Sequence, residues 1–307
     1  MDADVLRSML AVAARQDAVV TVRDLEHAGA SRSDARSLVR RGEWSPLLRG
    51  AWLVRPERVG ARLLRSWARS AALTVPGAVV SHGTAAALHG LADVGEPAPL
   101  HVLVPPELRK RPRADLVVHH DVLHADEGVD LRGIPATSVL RTLVDLVPRL
   151  PRGDALALLD AALAQREVDR QGLVRARDLT RGRRGCRAVD DLWLLADGRA
   201  ESPLESRARL DCVDGGVPPD DLQVLVQDGA GRIVARADIV FRRRRRPGRG
   251  LLVLEADGRR FHDAPEALLH DRHRANALVA LGHDVIRCTW ADTCTPGRVA
   301  AMVSAAL

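Results

Sequence analysis

Four carboxylates in the last third of the chain have the type and spacing for metal-assisted chemistry. They are Glu205 in ESPLESRARL, Asp238 in VARADIVF, and Glu255 and Asp257 in LLVLEADGRRFH. Side chains alternate faces along a strand. In LLVLEAD, Glu255 and Asp257 therefore share a face with Leu251 and Val253; in VARADIVF, Asp238 shares one with Arg236 and Val240. If the two segments pair as a hairpin, three carboxylates meet at one edge of a sheet. Charges that close repel unless a cation or a shared proton intervenes. All-oxygen ligands suit Mg²⁺ or Mn²⁺, and such an ion polarises a phosphodiester and lowers the pKa of a bound water. Glu255 follows four apolar residues, and a carboxylate in a buried strand needs a partner. Glu205 also has a plainer reading, because Ser202-Pro203-Leu204-Glu205 has the form of a helix capping box.

The elements that must position these acids follow in the order helix, hairpin strands, strand, helix (from about Pro265 to Leu281), strand. Residues 201–290 resemble the Vsr-like endonuclease group of the PD-(D/E)xK, or restriction-endonuclease-like, superfamily. ESPLE, ARADIVF, LEADGRRFH, DRHRANAL and GHDVIRCTW carry the resemblance. It implies a mixed sheet flanked by helices and Mg²⁺-dependent DNA cleavage at a site built on Asp238 and Glu255. The superfamily usually places lysine two residues after the strand glutamate. Here that residue is Asp257, and the single lysine of the chain is Lys110. The resemblance then passes proton transfer to His262, which titrates near neutrality, or to Arg272 and Arg274 of the next helix. These two arginines are also candidates for DNA contact.

A second stretch points to nucleic acid. Thr21 with Asp24 and Ser31 with Asp34 have capping-box spacing, which predicts two short helices. Trp44–Leu48 and Ala51–Val54, joined at Arg49-Gly50, read as a hairpin. Preceded by an apolar helical stripe over residues 3–14, this order is that of a winged helix-turn-helix. In the third helix Ala35, Leu38 and Val39 face inward, while Arg32, Arg36 and Arg40 repeat every four residues as one basic stripe. Such a stripe suits phosphates and guanine edges; a solvated charged face is the alternative. VVTVRDLEHAGASRSDARSLVRRGEW and LLRGAWLV, residues 15–55, resemble the N-terminal winged-helix domain of AbiEi-type antitoxins. That resemblance implies DNA binding and autoregulation beside a toxin gene.

Between these ends, HVLVP and VVHHDVL read as short strands. SHGTAAALHGL, ATSVLRTLVDL and DALALLDAALAQREV read as helices. SHGTAAALHGL and RTLVDL resemble segments that link the two domains in the same families, with no chemical role attached. His119, His120 and His124, with Asp121, cluster on or beside a strand but do not form a recognisable zinc set. His82 and His89 read as helix-packing or capping residues. The arginine run RRRRRPGRG at 242–250 forms the loop between the two acid-bearing strands. It reads equally as a phosphate grip and as a solvated loop.

Composition sets the outer bounds. In 307 residues of net charge +6, 46% are hydrophobic, yet there are only two Phe, five Trp and no Tyr. Cores must be built from Leu, Val and Ala, and the scarcity of aromatics argues against a stacking platform for single strands. Excess positive charge fits a polyanionic partner. Four cysteines without CxxC spacing predict reduced thiols in a cytoplasmic protein. Acids precede the short apolar stretch of the N-terminus, unlike a secretory signal. No uncharged apolar run approaches the ~18 residues a membrane span requires.

The expected architecture is α/β, α+β overall, in three parts. Residues 1–55 form a winged helix. Residues 56–198 form a mainly helical connecting region with short strands. Residues 199–307 form a restriction-endonuclease-like mixed sheet flanked by helices. The leading functional expectation is a double-stranded-DNA-binding, metal-dependent endonuclease. Its rival is a non-catalytic, antitoxin-like transcriptional regulator with an inactive nuclease fold. A homodimer and a cognate toxin are both left open, and no membrane partner is expected.

Overall fold

The computed structural model describes residues 2–58, 63–91, 99–108, 111–242, 250–257 and 276–307. Its contacts divide the chain into two units, Met1–Leu146 and Val147–Leu307. Both mix helices with sheets, an α+β arrangement.

The first unit opens with α1 (Ala3–Arg15), β1 (Val19–Thr21), α2 (Val22–His27), α3 (Arg32–Arg40), β2 (Trp44–Pro46) and β3 (Ala51–Val54). Both expected capping boxes are present. Asp24 accepts the Thr21 backbone N–H at 2.8 Å, and Asp34 accepts that of Ser31 at 2.9 Å. Each box satisfies amide groups that a helix start leaves without intrahelical partners. The hairpin forms, but its first strand stops at Pro46 rather than Leu48, with Trp44 opposite Val54; β1 joins the other edge of β3 to give the order β1-β3-β2. Met9, Leu25, Ala35, Leu38 and Trp44 bury against one another, so the apolar stripes of α1 and α3 close one small core.

The same unit continues through α4 (Leu63–Thr74), β4 (Val79–Val80), α5 (His82–Leu88), β5 (Leu100–Val104), β6 (Leu116–His120), β7 (Gly128–Asp130), β8 (Pro135–Thr137) and α6 (Val139–Leu146). The strands form a five-stranded mixed sheet in the order β6-β5-β4-β8-β7. Leu100, Val102 and Val104 alternate onto one face, against Ala68, Ala71 and Val75. The motif RTLVDL becomes a buried ion network. Arg141 is 3% exposed and donates to Asp145 at 2.8 Å, Glu127 at 2.8 Å, Asp121 at 2.6 Å and the Val122 carbonyl at 3.1 Å.

The second unit holds α7 (Arg152–Ala164), α8 (Arg170–Leu179), α9 (Leu192–Leu195) and α10 (Pro203–Asp214), then β9 (Asp221–Gln227), β10 (Ile233–Phe241), β11 (Leu252–Ala256) and β12 (Asp284–Cys288). The sheet order is β12-β11-β10-β9, with β11 and β12 parallel and the other pairs antiparallel. One face packs Ile239, Phe241, Leu252 and Leu254 against Ala208 and Cys212 of α10 and Val299 of the C-terminal helix. The other carries Val240 and Val253 beneath Leu278, from a helical stretch at 276–280. Gly250 enters β11 so close to the Gly282 carbonyl that a Cβ there would sit 2.5 Å from its oxygen. Arg209 of α10 donates from one nitrogen, Nη2, to both oxygens of the buried Asp160 of α7 at 2.9 and 2.7 Å, and Ser206 adds a hydroxyl to Asp160 at 2.6 Å. The arginine loop expected at 242–250 falls largely outside the described residues, as does the expected helix before residue 276.

Candidate functional site

Two arrangements have the chemistry to act on nucleic acid, one in each unit. In the first, α3 buries Ala35 and Leu38, and its i, i+4 spacing turns Arg32, Arg36 and Arg40 outward. All three are exposed, and no ion pair among the described residues engages them. Neighbouring charges are consumed instead: Arg41 pairs with Glu43 at 2.7 Å, and Asp34 is held by Ser31. The Ser31 hydroxyl and backbone hydrogen bonds keep the Asp34 carboxyl below its usual range. The helix therefore presents three guanidinium groups along about two turns, a geometry that follows a phosphate backbone.

In the second unit the period-2 expectation is met on the sheet. Ile239 pairs with Leu254, so one step along the register Asp238 faces Glu255, and both side chains lie on the Val240–Val253 face. Asp238 accepts the Ala256 N–H at 3.1 Å. Glu255 is 3% exposed, and its carboxylate lies 3.3 Å from the guanidinium of Arg287, its register partner on β12. Asp257 follows the end of β11, where its N–H reaches the Cys288 carbonyl. Two facing carboxylates with oxygen-only donors fit a hard divalent cation; the Arg287 guanidinium meets the charge of Glu255 without one.

Glu205 is fully engaged as a cap. Its carboxylate accepts the Ser202 hydroxyl at 2.8 Å, the Glu201 N–H at 3.0 Å and the Gln223 amide at 2.8 Å. Gln223 adopts φ +53 within β9, which aims its side chain at α10. Arg236 pairs with Glu201. His262, Arg272 and Arg274 lie outside the described residues.

The histidine cluster expected around residue 119 does not converge. His120 turns to the Leu108 carbonyl at 3.1 Å, His124 opens a 3-10 turn, and Asp121 is held by Arg141. His89 bonds the Thr137 carbonyl at 2.8 Å, a packing role as expected. His119 instead meets His82 and His101, with candidate ligand atoms all within 4.8 Å of one another. His82 is buried at the first position of α5, and the cap is Ser81. The three histidines are 18 or 19 positions apart on three elements, so no local spacing announces them.

A family model described as "Transcriptional regulator, AbiEi antitoxin" matches residues 7–55, and one described as "AbiEi antitoxin C-terminal domain" matches residues 78–193. SHGTAAALHGL and RTLVDL fall inside the second of these matches. Strands β9–β12, with the facing acids, lie beyond both matches. Two Mycobacterium tuberculosis proteins, named uncharacterized protein MT2308 and uncharacterized protein Rv2248, are each 36% identical over 228 residues, covering 74% of this chain and 80% of theirs. The crystal structure of the RV2827C protein from the same organism matches at 21% identity with a TM-score of 0.39, covering 64% of this chain and 83% of that one. Among the described residues, no helix is long and apolar enough to cross a membrane.

Proposed function

We propose, from the AbiEi antitoxin domains matched at residues 7–55 and 78–193, that the chain is a DNA-binding transcriptional regulator of antitoxin type. Its first three helices and hairpin act as a winged helix, with α3 as the recognition helix. The observation that carries this reading is the exposed Arg32–Arg36–Arg40 stripe on a helix capped at Ser31, inside the stretch matched by the regulator model. Guanidinium groups spaced along a helix supply phosphate contacts and bidentate contacts to guanine. The family also implies a cognate toxin as protein partner. The ion pair between Glu255 and Arg287 supports a non-catalytic second unit, because a cation already neutralises the acid that a nuclease would use for metal.

A second reading rests on the facing of Asp238 and Glu255. In it the two carboxylates, with Asp257, hold Mg²⁺ or Mn²⁺, and the ion would supply a nucleophilic hydroxide and a clamp on phosphate charge. One experiment separates the two. Full-length protein is titrated against a duplex from upstream of its own gene and against a scrambled duplex, then incubated with each under Mg²⁺ and Mn²⁺. The regulator reading expects preferential binding and intact DNA. Cleavage that is lost in Asp238→Asn and Glu255→Gln would establish the second reading. Equal weak binding to both duplexes, without cleavage, would sink the first.

A further inference from the structure

We propose that His82, His101 and His119 form a binding site for a divalent transition metal of the Zn²⁺ class, distinct from the acidic residues of the second unit. Sheet register creates most of it. In the parallel β5–β6 pair His101 is opposite Val117 and Leu103 opposite His119, so both histidines occupy the same face. Leu100, Val102 and Val104 take the other face, inside the apolar core. His82 enters from the start of α5. The His101 Nδ1 and His119 Nε2 atoms are 3.0 Å apart. The rings of His82 and His119 stack at 3.6 Å and 12°, and those of His101 and His119 lie 5.2 Å apart at 19°.

The support around the site is that of an oriented ligand set. Ser81 Oγ lies 3.0 Å from His82 Nδ1, the kind of oxygen partner that fixes the tautomer and ring orientation of a metal-bound imidazole. The Ser81 N–H donates to the His101 carbonyl at 3.0 Å, and Thr84 Oγ1 accepts the His101 N–H at 2.9 Å. Two hydrogen bonds thus tie the start of α5 to the start of β5. His82 itself is held at φ +51. A side chain bearing a Cβ is disfavoured there, and such positions persist where the surroundings fix them, often at ligand sites.

Imidazole nitrogens select zinc, nickel, cobalt and copper over magnesium and calcium. With Zn–N bonds of about 2.0–2.1 Å, a tetrahedral site places its nitrogens roughly 3.3 Å apart. The His101–His119 pair is already near that separation, and bringing the third nitrogen in from the 4.8 Å spread requires the His82 and His119 rings to leave their 3.6 Å stack, because each lone pair lies in its own ring plane. Three protein ligands leave a fourth position for water or another donor. The metal would join α5 to β5 and β6.

The test uses full-length protein stripped with a chelator and then titrated with Zn²⁺ and Co²⁺. Expected are one equivalent bound per chain, a visible Co²⁺ spectrum of tetrahedral type without a thiolate charge-transfer band, and a Zn²⁺-dependent rise in Tm. Mg²⁺ in excess does not displace the metal. His119→Phe keeps an aromatic ring for stacking and removes one ligand atom; it abolishes stoichiometric binding while circular dichroism stays native. His120→Ala and His124→Ala bind normally. Ser81→Ala, which removes only the orienting hydroxyl, weakens binding by about 10–100-fold. The proposal is overturned if wild type binds no equivalent of Zn²⁺, if the Co²⁺ spectrum shows thiolate ligation, or if folded His119→Phe binds like wild type.

Discussion

The guanidinium of Arg287 lies 3.3 Å from the carboxylate of Glu255, across the parallel β11–β12 pair. Glu255 is buried, while Arg287 keeps a third of its side chain exposed. The arginine therefore bridges a buried negative charge to solvent on the strand face that also carries Asp238.

Removing the cation leaves that charge buried without it. Arg287→Ala should lower stability by roughly 1–3 kcal/mol, the cost of stripping a partner from a buried polar group. Glu255→Gln keeps shape and removes the charge, so it should cost less. Urea denaturation of the two variants measures the difference. A larger loss for Glu255→Gln would mean that Glu255 is held chiefly by other groups.

Arg141 is the more demanding case. Its side chain and that of Asp145 are each 3% exposed; burial works against the charged guanidinium, and its pairing with Asp145, Glu127 and Asp121 together outweighs that and raises its affinity for its proton. Breaking a buried pair by deleting one partner costs about 3–5 kcal/mol. Arg141→Ala should therefore unfold at markedly lower urea, and Asp145→Ala should follow it, since each leaves the other buried. Two variants as stable as wild type would show that the network contributes nothing net.

The thiols give a pH prediction. Burial, reinforced by Asp211 for Cys212 and by Asp292 for Cys288, pushes both thiols up to about 12, from about 9 for an exposed cysteine. A native pKa above the unfolded one means that the native state binds more protons between the two values. The resulting stability is complete below about pH 9 and fades as pH rises toward 12. In native protein at pH 8, the exposed Cys294 should react with a thiol reagent while Cys212 and Cys288 react only on unfolding. Rapid modification of Cys212 in folded protein would contradict their burial.

Local signals in the chain are legible in proportion to how local their causes are. The capping boxes at Thr21 and Ser31, the hairpin at Trp44 and the shared face of Asp238 and Glu255 all follow from short-range periodicity, and the structure contains them. Glu205 was legible in both roles, and the hydrogen bonds show it serving as a cap. Arg287 opposite Glu255 requires the parallel pairing of strands nearly thirty residues apart, which no spacing encodes. His82, His101 and His119 escape local reading for the same reason: sequence proximity groups His119 with His120 and His124, while β5–β6 register sends those elsewhere.

In the proposed function α3 grips DNA through Arg32, Arg36 and Arg40. The most direct test of this is the salt dependence of binding to the upstream duplex, for wild type and for the variant with all three changed to alanine. Each phosphate contact contributes about 0.9 to the magnitude of the log–log slope. If all three arginines touch phosphates, the variant should bind more weakly and its slope should flatten by roughly 2–3. A variant that keeps both the affinity and the slope of wild type would mean that this stripe faces only solvent, and that the chain meets DNA through other residues or not at all.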